Sequence, residues 1–350
     1  MRLSAAALRR RPFGPVTGRP GRRSRRLAAL SGVAAAALIA GCGPASSAAS
    51  PGHGQVVTVA AVPGIDNATL YLARHNGYFN QAGLTVKIVR YPTVDAAISA
   101  VNKGAADIAA ADYGSIFSRQ ANSSGYRYKI IADAYDAASG VIQIMTMPNS
   151  PITSPAGLAN KVIAMPNTEL VSAPQSAPDS LALAAATSVL QSYNVNLTGI
   201  TWTPMSPQQE VNALVQGKVA AILATEPAIY LAQEKGAIEL VDAASGPTSG
   251  LPLAGYFTTD SWARRNDSTV LAFRSAIEQA AASAAMPGPV QAVLPKYTGA
   301  TAQEAALATI GAYPLSTIAA SVQRTADLMD TEGMIRHRLN VAAMIVSGRS

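Results

Sequence analysis

The sequence has little cysteine and little histidine. Among its 350 residues, Cys42 is the only cysteine, and the three histidines are His53, His75 and His337. A lone cysteine excludes a disulfide within the chain and a CxxC pair for metal or redox chemistry. The histidines lie far apart and none occurs in an HExxH spacing, which argues against a zinc enzyme. No cofactor is expected.

Acidic residues are absent from the first 41 positions, although nine arginines lie there. The whole chain has 27 Lys+Arg and 20 Asp+Glu, so 18 basic residues stand against 20 acidic ones after position 41. The net charge of +7 therefore belongs to the N-terminal segment, and the rest of the chain is near −2. A nucleic-acid partner is not expected, because such binding needs a basic surface.

The hydrophobic run at the N-terminus is too short to be a membrane span. Residues 27–40 give 14 apolar or small residues, whereas a spanning helix needs roughly 20. Arginines before the run and Gly41 after it predict an export signal over residues 1–41. The sequence then resembles the bacterial lipobox, Leu38-Ile39-Ala40-Gly41-Cys42, which implies that Cys42 is lipidated and becomes the new N-terminus. An incidental cysteine is the alternative, and the export route stays open.

Residues 42–54 are rich in Ser, Ala, Pro and Gly, which predicts a flexible tether. The chain then alternates between strands and helices, which predicts βαβ units and an α/β fold. The predicted strands are 56–62, 85–91 and 107–111, and the predicted helices are 68–76 and 94–103. The pattern restarts in a second lobe, with strands at 161–165, 200–203 and 219–224 and helices at 179–193 and 206–217.

The two halves can be aligned with each other by placing Gly104 on Gly217, which puts Asp112 opposite Thr225. In open α/β sheets, ligands bind beyond the carboxyl ends of the strands. If the two lobes face each other, four loops line the cleft: 63–69, 112–116, 166–173 and 225–229. Such a cleft would trap a small molecule by closing on it.

Polar residues in these loops are the predicted ligand contacts. Asp66 and Asn67 precede the first helix, and Asn167 and Thr168 hold the matching place in the second lobe. Helix capping is the alternative role for all four, since Asp, Asn and Thr are common caps.

Acids at two strand ends bear on the charge of the ligand. Asp112, with Tyr113 and Ser115, follows one strand, and Thr225 with Glu226 follows its counterpart. Burying an acid costs free energy unless it is paired, so we expect a polar partner or a cationic or amino-bearing ligand rather than a small bare anion. A solvated strand end is the alternative.

Two tyrosines are placed to stack on a planar ligand. Tyr135 precedes the first expected crossing between the lobes, and Tyr256 lies at the second. Packing at the hinge is an equally good interpretation of both.

Several motifs follow one another in order: Pro63-Gly64-Ile65-Asp66-Asn67, Gly77-Tyr78-Phe79, Ala106-Asp107-Ile108-Ala109, Ser154-Pro155 and Glu226-Pro227. Together they resemble the NMT1/THI5-like solute-binding proteins, relatives of the sulfonate, taurine and nitrate receptors of ABC importers. The resemblance implies a two-lobed type II periplasmic-binding-protein fold, with a mostly parallel sheet flanked by helices in each lobe. It places lobe 1 at 55–143 and 255–350 and lobe 2 at 144–254, with crossings near 138–144 and 251–257. Helices at 270–285, 302–310 and 315–329 are then expected to pack on lobe 1.

The function predicted from these observations is capture of a small organic solute for an ABC permease by a lipoprotein on the extracytoplasmic face of the membrane. A pyrimidine-like or thiamine-precursor ligand and a sulfonate or taurine-type ligand both remain open. A monomer without catalytic residues or metal is expected. The alternatives are a THI5-like pyrimidine-synthesis enzyme, for which no catalytic spacing is evident, and an extracellular sensor module.

Overall fold

The computed structural model describes residues 54–123, 125, 127–167 and 180–347. The described strands are β1 (Gln55–Ala61), β2 (Leu84–Arg90), β3 (Ile108–Asp112), β4 (Tyr128–Asp136), β5 (Gln143–Thr146), β6 (Val162–Pro166), β7 (Thr201–Met205), β8 (Ala221–Ala224), β9 (Ile238–Asp242) and β10 (Pro252–Thr259). The described α-helices are α1 (Ala68–His75), α2 (Tyr78–Gln81), α3 (Val94–Asn102), α4 (Tyr113–Asn122), α5 (Leu181–Ser192), α6 (Pro207–Val215), α7 (Ala228–Glu234), α8 (Asp260–Arg265), α9 (Asp267–Ser283), α10 (Pro287–Val293), α11 (Pro295–Thr298), α12 (Ala302–Leu307) and α13 (Ala319–Thr331).

The strands form two five-stranded sheets with the same internal order. One sheet runs β2-β1-β3-β10-β4 and the other runs β7-β6-β8-β5-β9. In each sheet three neighbouring strands pair in parallel, and one strand, β10 or β5, pairs antiparallel with both of its neighbours. The predicted two-lobed α/β fold with mostly parallel sheets is therefore confirmed.

The chain crosses between the sheets twice. The first crossing lies between the end of β4 at Asp136 and the start of β5 at Gln143. The second lies between the end of β9 at Asp242 and the start of β10 at Pro252, which enters the first sheet between β3 and β4. The exact limits of the two lobes stay a prediction.

The central strands of both sheets are apolar along their length, and helices pack against the sheets and bury these strands. In β3, residues Ile108 to Ala111 are all buried, and the alanines allow helices to pack closely. Helix α9 packs against α1, α2 and β4. Helix α13 contacts α4 and β10 and also reaches α5, which contacts β8 of the second sheet. One continuous apolar core therefore includes residues of both sheets, among them Ile130, Ile163 and Phe257.

Three predicted elements differ from the structure near the site. The predicted loop at 112–116 is instead the start of α4, because the Asp112 side chain caps that helix. The helix predicted at 302–310 ends at Leu307, since the backbone beyond it turns to bond with other elements. The helix predicted at 315–329 begins at Ala319. The export signal, Cys42 and most of the tether lie outside the described residues.

Candidate functional site

The strand ends of the two sheets border one cavity of ≈ 260 Å³. The first sheet contributes the short 3-10 helix after β1 (Ile65–Asn67), the end of β3 and parts of β4 and β10. The end of β6, the start of α5 and the residues after β8 form the facing wall. Loops that leave parallel strands converge at this edge, which is where open α/β sheets bind ligands.

Asp66 supplies the first carboxyl group of the cavity wall, and backbone N–H groups of Asp66 and Asn67 bond to it. Its one hydrogen bond from a side chain in the described part of the chain is a long contact of 3.4 Å from the Asn67 amide. Burial, and after it the negative charge of Asp112, raises the pKa of Asp66 to about 7. The group therefore changes protonation near neutral pH, where a bound partner can decide its charge.

Asp112 is the second carboxyl group, and it has a structural as well as a lining role. Its Oδ1 accepts a hydrogen bond of 2.7 Å from the Ser115 backbone N–H, and its Oδ2 accepts one of 2.7 Å from the Ser115 hydroxyl. Burial raises the pKa of Asp112 against the opposing effect of these bonds. Ser115 thus acts by holding Asp112, and its own hydroxyl is committed to that contact.

Glu226 is the third carboxyl group and lies on the opposite wall beside Thr225. Its Oε1 accepts a hydrogen bond of 2.7 Å from the backbone N–H of Thr309, and its Oε2 accepts a longer one of 3.4 Å from Tyr230. Burial raises the pKa of Glu226. The contact with Thr309 joins the second sheet to a segment 83 residues further along the chain.

Tyr135 forms an aromatic part of the wall, as expected for stacking on a planar ligand. Its hydroxyl accepts a hydrogen bond of 2.6 Å from the Gly311 backbone N–H, and its ring lies 5.3 Å from that of Tyr313. Burial raises the pKa of Tyr135, and the carboxylates of Asp66 and Glu226 act in the same direction. The phenol therefore stays neutral between two acids.

Tyr113 and Tyr256 do not line the cavity, contrary to their predicted contact with the ligand. Both side chains are fully buried. The Tyr113 hydroxyl donates to Asp133 at 3.2 Å. Tyr256 bonds Thr69 at 2.8 Å and packs edge-on against Phe273. Tyr113 lies in α4 and packs edge-on against Phe257 of β10. Tyr256 lies in β10, which is covered on both faces, so nothing in the sequence of this strand indicates which side chains reach the cleft.

Asn67 and Asn167 were predicted to contact the ligand or to cap helices, and the structure gives them other surroundings. Asn67 is buried, makes no capping bond to α1, and donates its amide to the Val62 carbonyl at 2.8 Å. Its Oδ1 has no hydrogen-bond partner in the described part of the chain. Asn167 is exposed and borders an adjoining cavity rather than the central one. Thr168 lies outside the described residues.

Two further cavities adjoin the central one and share wall residues with it. One, of ≈ 450 Å³, shares Gly64, Ile65 and Glu226 and adds Glu304. The other, of ≈ 340 Å³, shares Asp112 and adds Asp95. Among the described residues that line the three cavities, there are five acids and no lysine, arginine or histidine.

Some wall residues were not predicted from the sequence. Ser180 and Leu181 line the cavity at the start of α5, where the Ser180 hydroxyl accepts from the Leu183 N–H. That capping pattern is a signal that the sequence contains. Ile142 in the first crossing and Thr309 after α12 also line the cavity. Neither carries a local signal, because their position depends on how distant segments pack.

Among the described residues, no group of three or more His, Cys, Asp or Glu side chains is arranged to hold a metal ion. None of the described helices is long and apolar enough to cross a membrane.

Two facing α/β sheets with a cavity at their strand ends define the class of periplasmic-binding-protein folds, and solved structures of that class match the chain. A family model described as NMT1/THI5 like matches residues 65–292, and the chain belongs to this family. No curated protein matches the sequence.

Three solved structures illustrate the similarity of fold. The aliphatic sulphonate binding protein SsuA from Escherichia coli is 18% identical with a TM-score of 0.68, and the match covers 85% of this chain and 93% of SsuA. The alkanesulfonate-binding protein SsuA from Xanthomonas axonopodis pv. citri, bound to MOPS, is 19% identical with a TM-score of 0.62, covering 83% and 98%. The desulfurization enzyme DSZB, in complex with biphenyl-2-sulfinic acid, is 14% identical with a TM-score of 0.66, covering 84% and 96%. The fold therefore occurs in both binding proteins and an enzyme.

Proposed function

We propose that the protein is a substrate-binding protein that captures a small organic solute between two lobes and presents it to the permease of an ABC importer. The lobes of this proposal are 55–143 with 255–350, and 144–254. The observation that carries it is the ≈ 260 Å³ cavity at facing strand ends, whose walls come from both sheets. A ligand that contacts both walls stabilises the closed state over the open one.

The proposed ligand contacts are the five predicted residues that line this cavity: Asp66, Asp112, Tyr135, Thr225 and Glu226. Of the ligand classes that the sequence leaves open, the acidic wall favours a pyrimidine-like or amino-bearing solute. A sulfonate is disfavoured, because an anion entering this cavity would meet carboxyl groups without a compensating cation from its described wall.

Ligand binding should make the protein more compact, because the two walls move together around the solute. We expect a smaller radius of gyration by small-angle X-ray scattering when a solute that binds in calorimetry is added. A Glu226→Gln variant should bind more weakly and compact less at the same solute concentration. A solute that binds without any change in the radius of gyration would contradict the proposed closing trap.

We further propose that the protein is attached to the extracytoplasmic face of the membrane by lipid on Cys42. The support is sequence alone: the arginines and apolar run before residue 42, the lipobox resemblance and the linker-like composition that follows. Signal residues 1–41 and tether residues 42–54 are part of this proposal, and the folded part is proposed to act as a monomer.

Replacing Cys42 by alanine removes the thiol that receives the lipid, so the variant should not incorporate radiolabelled fatty acid, whereas the unchanged protein should. Ser46→Ala, a change in the proposed tether, is the control and should keep the label. Labelling of the alanine variant would rule out lipid attachment at Cys42.

An enzyme is the second candidate, because DSZB shares the fold. We favour a binding protein, since the described cavity wall contains no histidine and the chain has no cysteine beyond Cys42. Recovery of an unchanged solute after prolonged incubation supports binding without turnover, and chemical conversion of the bound solute would instead identify an enzyme. The third predicted alternative, an extracellular sensor, has no supporting observation in the structure.

A further inference from the structure

We infer that the captured solute carries a positive charge, as an amine, amidine or similar group, and that Asp66, Asp112 and Glu226 together receive it. This inference rests on the proposed function, since it gives the chemical class of ligand for the same cavity. The three carboxyl groups reach that cavity from separate elements: the 3-10 helix after β1, the end of β3 and the loop after β8.

None of the three acids forms an ion pair within the described structure, although the charge of Arg119 acts on Asp112 from further away. The ion pairs of the described structure join other residues: Arg119 to Asp95, Lys129 and Arg264 to Asp260, and Arg338 to Asp327. The segment 168–179, which follows β6 in the chain, contains Glu169 and Asp179 but no lysine, arginine or histidine. When these acids are ionised, no described ion pair matches their charge, and a ligand is the group for which the cavity has room.

Asp66 is the carboxyl group best placed to bind that charge directly. The Ser115 backbone and hydroxyl already donate to Asp112, and Thr309 donates to Glu226 at 2.7 Å. From side chains, Asp66 receives only the 3.4 Å contact from Asn67, and its other hydrogen bonds come from the backbone N–H groups of Asp66 and Asn67 in its own turn. The buried Oδ1 of Asn67 also has no partner among the described residues, so an acceptor with free capacity lies next to Asp66.

A cation would also link ligand binding to lobe closure. Asp66 and Asp112 lie on the first-sheet side and Glu226 lies on the second-sheet side, so closing the cleft without a ligand confines acids of both walls in one small space. Burial favours neutral carboxyl groups by raising the pKa of Asp66, Asp112 and Glu226, and the negative charge of Asp112 adds to this effect at Asp66. A positive group between the walls neutralises the acids and so favours the closed form.

The test compares probes that share a shape and differ in charge. Benzamidine, benzamide and benzenesulfonate form one set, and butylamine, butyramide and butanesulfonate form a second. Calorimetry with the full chain should give the tightest binding for the cationic member of a set. Asp66→Asn and Glu226→Gln should each weaken that binding at least about 30-fold, because each removes one partner of a desolvated charge pair. Asp330→Asn changes an exposed acid outside the three cavities and should leave the affinity unchanged.

Two further outcomes also decide the inference. Tightest binding by a sulfonate or an amide would show that the cavity does not select a cation, while leaving the proposed capture of solutes intact. If no probe binds, the charge of the solute released by denaturing the purified protein decides: a positive solute supports the inference, and a neutral or negative one overturns it. If no probe binds and no solute is released, that result counts against both the inference and the proposed function.

Discussion

Raising the pH from about 5 to about 9 will lower the free energy of unfolding steeply, and Glu210 in α6 is one identifiable cause. Its side chain is fully buried, and neither carboxyl oxygen has a hydrogen-bond partner among the described residues. Burial raises the pKa of Glu210 from 4.5 to about 9. The folded chain keeps this proton in a range where the unfolded chain has lost it. Each rise of one pH unit in that range therefore lowers the free energy of unfolding by up to about 1.4 kcal/mol.

The Glu210→Gln variant isolates this contribution from those of the other buried acids. Glutamine has nearly the same shape but does not titrate, so the variant should match the unchanged protein near pH 5. It should become more stable than that protein by several kcal/mol near pH 8. Urea unfolding at a series of pH values measures the difference, and Asp330→Asn, at an exposed site, should not change the slope. Equal slopes for the two proteins would show that Glu210 ionises normally in the folded state.

Gly311→Ala should both destabilise the protein and weaken ligand binding, because this glycine has no space for a side chain. A Cβ there would lie 2.6 Å from the Asp136 carbonyl oxygen and 2.6 Å from Cζ of Tyr135. The Asp136 backbone is held by two hydrogen bonds with Ala312, of 2.8 and 3.0 Å. Either this pairing or the Tyr135 ring must move. We expect a loss of about 1–3 kcal/mol in the free energy of unfolding.

Gly288→Ala is the matched control, since a Cβ at this exposed position in α10 meets nothing within 4 Å. Alanine is the better helix former, so the control should be unchanged or slightly stabilised. Calorimetry should show weaker binding in Gly311→Ala alone, because displacement of Tyr135 alters the cavity wall. Wild-type stability together with wild-type affinity would mean that the close approach of Gly311 to β4 is not needed.

The sequence predicted the cavity best where its argument depended on strand ends. Asp66, Asp112 and the pair Thr225 and Glu226 lie at or after the ends of three different strands, and the structure brings all of them to one cavity. The prediction succeeded because parallel strands place the residues at their carboxyl ends along a common edge. The prediction also rested on the family resemblance, without which the facing arrangement of the two lobes would have been an assumption.

Predictions failed where the outcome depended on distant packing. Tyr256 lies in a strand covered on both faces, so its burial beside Thr69, 187 residues away in sequence, has no local signal. Thr309 lies in a segment with a helical pattern, but its N–H bonds Glu226 instead of continuing the helix. Asn67 follows the usual pattern of a helix cap and donates to the Val62 carbonyl instead.

The sequence alone determined the α/β class, the strand ends that form the site, and the confinement of the positive charge to the first 41 residues. These features follow from periodicity and composition, which are local properties of the chain. The tertiary structure alone decided that the described wall around the three acids contains no basic residue. It also decided that Tyr135, and not Tyr256, reaches the cavity. The physical reason is that the charge balance and exposure of a side chain depend on groups from other segments, and their proximity is set only when the chain packs.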